Sequence, residues 1–210
     1  CGWDGDPTKH PEQTQVSAYA ESKDGLHFEA LDDWVGPPYM RTFRYGPWYY
    51  ALHGGSQRLI LRAQSPWERF IAGPRLEVPG EPYTSPQTCR PQDKRVYRMR
   101  HVGLLRTGAD QLDVYYSNVG DCPERLKRCR LLLRNDWQTW TAGAFEEILA
   151  PAEPWEGADQ PLLPSQPGSI HKPVRQLRDP YPFISENKTF LYYAGAGESA
   201  IGVAWLEHDP

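Results

Sequence analysis

Gln176–Glu207 reads QLRDPYPFISENKTFLYYAGAGESAIGVAWLE. Three short segments rich in Tyr, Phe, Ile and Val, Leu177–Ser185, Thr189–Gly195 and Ala200–Glu207, are separated by a turn at Glu186-Asn187-Lys188 and by a small-residue turn over Gly195–Ser199. Strands this short, joined by tight turns, predict a twisted antiparallel meander.

The same order recurs upstream. Tyr39–Arg75 supplies YMRTFRY, WYYALHG, RLILRAQ and WERFIAGPR, and Val96–Leu149 supplies VYRMRHVGLLR, QLDVYYSNVG, RLKRCRLLL and WTAGAFEEIL. In each unit a first strand is followed by an aromatic pair (Tyr49-Tyr50, Tyr115-Tyr116, Tyr192-Tyr193), a Gly-containing loop and an apolar strand. A repeat of about forty to fifty residues built from four strands is the pattern of propeller blades, here without a WD or kelch signature.

Composition agrees. With 21 Pro, 18 Gly, 12 Tyr, 8 Trp and 6 Phe in 210 residues, frequent turn formers and aromatic strands favour an all-β fold over a helical one. A single domain over 1–210 is the expectation, with blade units at about 15–35, 39–76, 96–149 and 176–207. The sequence contains no run of about 18 apolar residues, so no membrane partner is expected, and it opens without a signal-peptide pattern. A formal charge of −4 gives no general basis for nucleic-acid binding. Cys1-Gly2-Trp3 reads as the end of a strand, so further sequence is expected upstream.

Gln15–Glu29 reads as a strand, an Asp24-Gly25 turn and a second strand, the outer half of a blade. Two Pro-rich loops interrupt the pattern, Val78–Lys94 and Ala150–Arg175. Loops this long are uncommon unless they are functional or act as linkers. Trp155, Leu162, Leu163 and Ile170 need cover, so the second loop is read as folded across one face.

Blade topology then narrows the chemistry. The start of each first strand and the end of each second strand open onto the same mouth. First strands bring Arg41, Arg44, Arg100, His101, Arg178 and Asp179. Second strands bring His53, Asp121, Glu124 and Glu198, and the Trp3–Gln15 loop adds Asp4, Asp6 and His10. Such a cluster of acids and bases at a cleft is what acid–base catalysis requires.

At these residues the chain resembles the five-bladed β-propeller glycosidases of the glycoside hydrolase family 43 type and their uncharacterised bacterial relatives. The carrying motifs are SKDGLHF at Ser22–Phe28, VGDCPER at Val119–Arg125, WEGADQP at Trp155–Pro161, LRDP at Leu177–Pro180 and AGES at Ala196–Ser199. About three and a half four-stranded blades are visible, so the resemblance implies that the N-terminal blade and a half lie before Cys1. It also implies carboxylate catalysis, in which two carboxyl groups act from opposite sides of the glycosidic bond. Asp179 lies in an Arg-Asp-Pro motif similar to the one that places a transition-state-stabilising Asp in related fructan-cleaving propellers. Glu198 is the first choice for the acid and Glu156 the second. The base lies either upstream or at Asp121.

Arg41, Arg44, Arg100 and Arg178, with His53 and His101, are read as substrate-binding groups, since Arg grips carboxylate, sulfate or phosphate bidentately; Trp155 is read as a sugar-stacking platform. The structural alternative is that these arginines pair with the acids beside them and that Trp155 anchors its loop. Of the four cysteines, Cys1, Cys89, Cys122 and Cys129, the last two have a spacing that closes a small loop in an oxidising compartment. No Cys or His spacing suits zinc, and neither metal nor cofactor is expected. A secreted or periplasmic setting is favoured. The expected activity is glycoside hydrolysis on a carbohydrate, with an anionic sugar or polysaccharide among the candidates. A glycoside phosphorylase and a non-catalytic carbohydrate-binding propeller are the alternatives. Bare strand edges would call for a partner chain or an oligomer.

Overall fold

Side chains of Ser22 and Asp24 shape the first hairpin. In the computed structural model, which describes residues 15–54, 58–80, 98–134 and 136–207, Ser22 Oγ accepts from the Gly25 N–H at 2.9 Å, and Asp24 Oδ1 accepts from Leu26 and His27 at 2.9 and 2.8 Å. These bonds hold residues 22–28 as a loop. The second strand therefore starts at Glu29, where the sequence reading ended it. The pair is β1 (Ser17–Glu21) and β2 (Glu29–Gly36), antiparallel with two register shifts.

The described residues fall into two compact units, the first formed by 15–53 and 59–75 and the second by the remainder. In the first, β3 (Met40–Tyr45), β4 (Trp48–His53), β5 (Leu59–Ala63) and β6 (Ile71–Arg75) form a four-stranded antiparallel sheet in sequence order. The β3–β4 link is a two-residue turn whose first residue, Gly46, has φ +58°, the conformation such hairpin loops require. Val35, Met40, Ala51, Leu61, Ala63 and Phe70 form the core of this unit. Burying a large apolar side chain contributes roughly 1.5–3 kcal/mol.

In the second unit, β7 (Arg98–Gly108), β8 (Gln111–Val119), β9 (Leu126–Leu132) and β10 (Glu146–Leu149) form another four-stranded antiparallel sheet. Its last strand is shorter than the expected segment from Trp140. Residues Trp137–Thr139 form a 3₁₀ turn capped by Asp136, and Trp140 Nε1 donates to Arg134 O at 3.0 Å. The meander becomes β11 (Arg178–Ser185), β12 (Lys188–Gly195) and β13 (Ala200–Leu206), three strands in order. Glu186 and Asn187 both take positive φ, 51° and 62°, which makes the β11–β12 link a two-residue type I′ turn. Leu105, Tyr115, Leu126, Leu177, Leu191 and Tyr193 pack as the core between the two sheets. Among the described residues there is no α-helix, and the fold is all-β with four-stranded antiparallel sheets of the propeller-blade type.

The long loop over 150–175 is tied in its middle and near its end. Ser165 receives Gly120 N–H on its carbonyl and hydroxyl oxygens at 3.1 and 2.9 Å, and Ser165 N donates to Asp121 O at 3.0 Å. Further along, Val174 N donates to Ala196 O at 3.3 Å. The loop thus crosses the ends of β8 and β12, but Trp155, Leu162 and Leu163 stay exposed on it, so the backbone and Ser165 hydrogen bonds hold it there rather than apolar cover. Asp4, Asp6, His10, Cys1, Cys89 and most of the 78–94 loop lie outside the described residues. Cys122 and Cys129 are buried, and no disulfide links them.

Close approach of β7 to β11 depends on Gly103, where a Cβ would sit 2.4 Å from Pro180 O and 2.6 Å from the Pro182 ring. Because backbone cannot yield as a flexible side chain does, Gly103→Ala is expected to destabilise by about 1–3 kcal/mol. Chemical denaturation of the variant against the wild type measures it.

Candidate functional site

The loops after β8 and β12 meet the starts of β7 and β11 around one buried carboxylate. Glu124 is fully buried. Its Oε1 accepts from Arg100 Nε and from Ser117 Oγ, both at 2.7 Å, and its Oε2 accepts from Arg100 Nη2 at 3.1 Å. Arg178 Nε lies 3.5 Å from the same Oε2. A buried charge is tolerated only when paired and hydrogen-bonded, and here a bidentate guanidinium supplies both conditions.

Arg178 is also fully buried. Its Nε and Nη2 donate to Gln176 Oε1, and its Nη1 donates to Glu198 Oε1 at 2.8 Å and to Gly168 O at 3.3 Å. Arg100 reaches the same loop, donating to Gln166 O at 2.8 Å and to Gly168 O at 3.4 Å. Both arginines thus direct their donors at protein acceptors. The expected grip on an anion gives way to a grip on Glu124, Glu198 and the covering loop.

Beside this network lies a more accessible pair. His101 Nδ1 is 2.5 Å from Asp179 Oδ1, with the two side chains 31% and 34% exposed. Both residues stand at irregularities, His101 within the register shift between Met99 and Val102, Asp179 within the one between Arg178 and Tyr181. Asp179 has φ 52°, a left-handed conformation that Asp tolerates better than most residues. Burial pushes its carboxyl up. The hydrogen bond and charge of His101, with the charges of Arg100 and Arg178, outweigh that and hold it below the ordinary 3.8.

The structure therefore brings together Arg100, His101, Glu124, Arg178, Asp179 and Glu198. Asp121, just after β8, is buried in a 2.7 Å pair with Lys127 Nζ; burial raises its carboxyl pKa despite that cation. Glu156 caps a 3₁₀ turn, with Oε2 accepting from Ala152 N and Glu153 N at 2.8 and 3.0 Å and Oε1 accepting from Tyr193 OH at 2.6 Å. Burial works against its ionisation, and these three donors hold its pKa below the ordinary value. Both its oxygens are occupied by the fold.

Trp155 stacks on Tyr193 with ring centroids 6.2 Å apart and an interplanar angle of 28°. Its floor is Gly202, where a Cβ would meet the indole at 2.6 Å. The ring is a loop anchor whose outer part is exposed. Arg41, Arg44 and His53 belong to the first unit. Arg41 pairs across the sheet from Leu52, Arg44 lies 5.8 Å from the Tyr49 ring centroid, and His53 Nδ1 is 2.9 Å from Pro38 O. Burial lowers the His53 pKa, partly opposed by that hydrogen bond.

Sequence reading missed Ser117 and Gln176, which anchor the network without carrying charge. Their signal was position alone, on the strand ends that converge. Among the described residues, no group of three or more His, Cys, Asp or Glu is placed to hold a metal ion.

No protein-family profile matches this chain. An uncharacterized protein of Acanthamoeba polyphaga mimivirus is 36% identical over 197 residues, covering 91% of this chain and 52% of that protein. The chain thus spans about half the length of this curated relative. Similar solved structures are the β-1,2-mannobiose phosphorylase of Listeria innocua in complex with β-1,2-mannobiose (TM-score 0.54, 14% identity), a glycosyl hydrolase from Bacteroides ovatus (0.53, 14%) and an α-L-arabinanase mutant of Cellvibrio cellulosa (0.52, 12%). Each alignment covers 90% of this chain, and 49%, 56% and 62% of the respective solved chain. At these identities the likeness shows the fold alone, an all-β fold shared with these three structures.

Two measurements test the network. Glu124→Ala leaves Arg100 without its bidentate carboxylate and the buried Arg178 with Glu198 as its remaining carboxylate; a loss of about 3–5 kcal/mol is expected in chemical denaturation. For Asp179, a carboxyl held below its unfolded value adds stability above the unfolded pKa, and that stability is lost as pH falls through the folded pKa. Melting temperature should therefore drop less between about pH 5 and about pH 3 in Asp179→Asn than in the wild type. An equal drop in both would contradict the pairing.

Proposed function

We propose that this chain carries part of the active site of a glycoside hydrolase of the β-propeller type, with Asp179 and Glu198 as its working carboxylates. The observation that carries the reading is the His101–Asp179 pair. An accessible aspartate is held ionised in a left-handed backbone conformation, at a strand irregularity where two first strands meet. Uncommon backbone geometry combined with a shifted carboxyl in a charged recess is characteristic of functional positions.

In this reading Asp179 faces the positive charge that develops on the sugar ring as the glycosidic bond breaks, and Glu198 delivers a proton to the departing oxygen. His101 and Arg178 orient the two carboxylates. Asp121 and Glu156, the other acids of the sequence reading, serve the fold through Lys127 and through the 3₁₀ cap. Since Arg100 and Arg178 satisfy protein acceptors, neutral glycans are the first substrate class to try. The likeness to a glycosyl hydrolase, an arabinanase and a mannobiose phosphorylase supports a carbohydrate substrate by analogy of fold, and fold alone does not fix chemistry.

Phosphorolysis is the second reading, favoured by the likeness of fold to a mannobiose phosphorylase. Turnover of β-1,2-mannobiose, arabinan oligosaccharides and aryl glycosides, each with and without inorganic phosphate, separates the two. Hydrolysis independent of phosphate is expected, with Asp179→Asn and Glu198→Gln each lowering kcat by roughly 10²–10⁴ while the far-UV circular dichroism of both stays that of the wild type. Undiminished turnover in both variants would remove these carboxylates from the mechanism.

A further inference from the structure

At the strand ends away from the Glu124 network, the second unit holds a cavity of about 690 Å³. Arg106 lies on its rim, and Arg100 of the network is roughly 20 Å back along β7 at about 3.3 Å per residue. The wall is a ladder of charge across three strands. The register sets Asp113 of β8 opposite Arg130 of β9, and Arg128 of β9 opposite Glu146 of β10. Strand alternation puts all four on the face that carries Leu105 and Tyr115 against the β11–β13 sheet. Asp113 is 1% exposed. Arg130 Nε and Nη2 donate to its two oxygens at 2.7 and 3.0 Å, and Arg128 Nη2 donates to Glu146 Oε2 at 2.6 Å. A buried carboxylate costs free energy unless it is paired. A charged ladder on a face that elsewhere packs apolar side chains breaks the local rule, and such breaks concentrate at functional positions.

The lining selects the ligand. Arg106, Arg128 and Arg130 stand against Asp113, Glu146 and Glu207, so the charge of the cavity sums to zero. An anion would meet Glu146 and Glu207, and a cation would meet three guanidinium groups. The charges also largely satisfy one another, and Arg106 donates to the carbonyls of Gly108 and Ala109. What stays open is a mixed set of donors and acceptors. Among the described residues no hydrogen bond occupies Arg130 Nη1, the Gln111 amide, the Thr107 hydroxyl or the Glu207 carboxylate. Hydroxyl groups, which donate and accept at once, match such a set. Ile184, 56% exposed, adds an apolar patch for the C–H face of a sugar ring. The volume falls within the range of about 300–1,000 Å³ usual for small-molecule sites.

We propose that this cavity is a binding site for a neutral, hydroxyl-rich ligand, a monosaccharide or a unit of an oligosaccharide, separate from the Asp179 recess. The ladder fixes Arg130, whose Nε and Nη2 are committed to Asp113, so that its Nη1 is presented in one place. Thr107, Gln111 and Glu207 approach from the ends of β7, β8 and β13, which lets four groups from four strands meet different hydroxyls of one ring. Occupancy of the cavity does not require that Asp179 and Glu198 be catalytic.

Two-dimensional ¹H–¹⁵N NMR on the isotopically labelled 210-residue chain tests this. The probes are mannose, glucose, galactose, arabinose and xylose, as free sugars and as their short oligosaccharides, with sulfate and glucuronate as anionic controls. Each is added to about 50 mM, well above the roughly millimolar Kd expected of a solvent-open polar site. Saturable shifts are expected with at least one neutral sugar at the Arg128 and Arg130 Nε–H signals and at the Gln111 and Asp113 amides. The His101 and Glu198 amides report binding at the recess instead. Gln111→Ala and Glu207→Ala should each weaken binding about 3-fold, and together about 10-fold. The site of the shifts is read on the wild type, so a misfolded variant leaves the test intact. Three results overturn the proposal: no neutral sugar shifts the lining, shifts appear only at the recess, or sulfate or glucuronate saturates the lining at lower concentration than every neutral sugar. Undiminished affinity in a folded double variant does so as well. Loss of turnover chemistry at Asp179 leaves these signals unchanged, so failure of the proposed hydrolase and failure of this site are told apart.

Discussion

The second unit depends on one buried carboxylate. Glu124 joins the loop after β8 to the start of β7 through Arg100, to β8 itself through Ser117, and to the start of β11 through Arg178. Removing an anion from water is costly, and the cost is offset only when every lone pair meets a donor. That demand fixes where two sheets and a loop must converge. The apolar core between the sheets supplies burial without direction, whereas the Glu124 network supplies direction.

Consequences spread outward from it. Arg100 and Arg178 have donors left over, and these capture the carbonyls of Gln166 and Gly168, so the long loop is drawn over the same end of the sheets. Arg178 also holds Glu198, and the residue after it, Asp179, meets His101 from a backbone bend. The accessible groups are thus carried on a rigid, buried frame, an arrangement that keeps a reactive carboxylate in place. Glycines at 103 and 202 permit the close contacts beside this frame, of β7 with β11 and of Trp155 with the β12–β13 floor.

Much of the architecture was legible from periodicity. Alternating apolar and aromatic residues at Tyr39–Ala63, Val96–Leu133 and Leu177–Leu206 marked strands whose observed bounds differ by a residue or two, because side chains on a half-buried sheet must alternate. The differences arose where local side chains compete for backbone donors. Ser22 and Asp24 widened the first turn. Of the acids and bases expected to converge, Arg100, His101, Glu124, Arg178, Asp179 and Glu198 do meet, since the order of β7, β8, β11 and β12 dictates which of their ends share a face. Their division of labour was not, because it depends on which carboxylate meets which cation, and sequence spacing does not carry that distance.

What the sequence by itself determined was the all-β meander, the two four-stranded antiparallel sheets and the six ionisable residues that meet where β7, β8, β11 and β12 converge. Hydrophobic alternation and turn chemistry are local, and so can be read along the chain. Tertiary structure alone decided that Glu124 and Arg178 are buried and serve the frame, that Glu156 and Asp121 are committed to a cap and a lysine, and that Asp179 and His101 stay accessible. Burial and pairing are set by neighbours distant in the chain, and those neighbours determine the electrostatic state of each group.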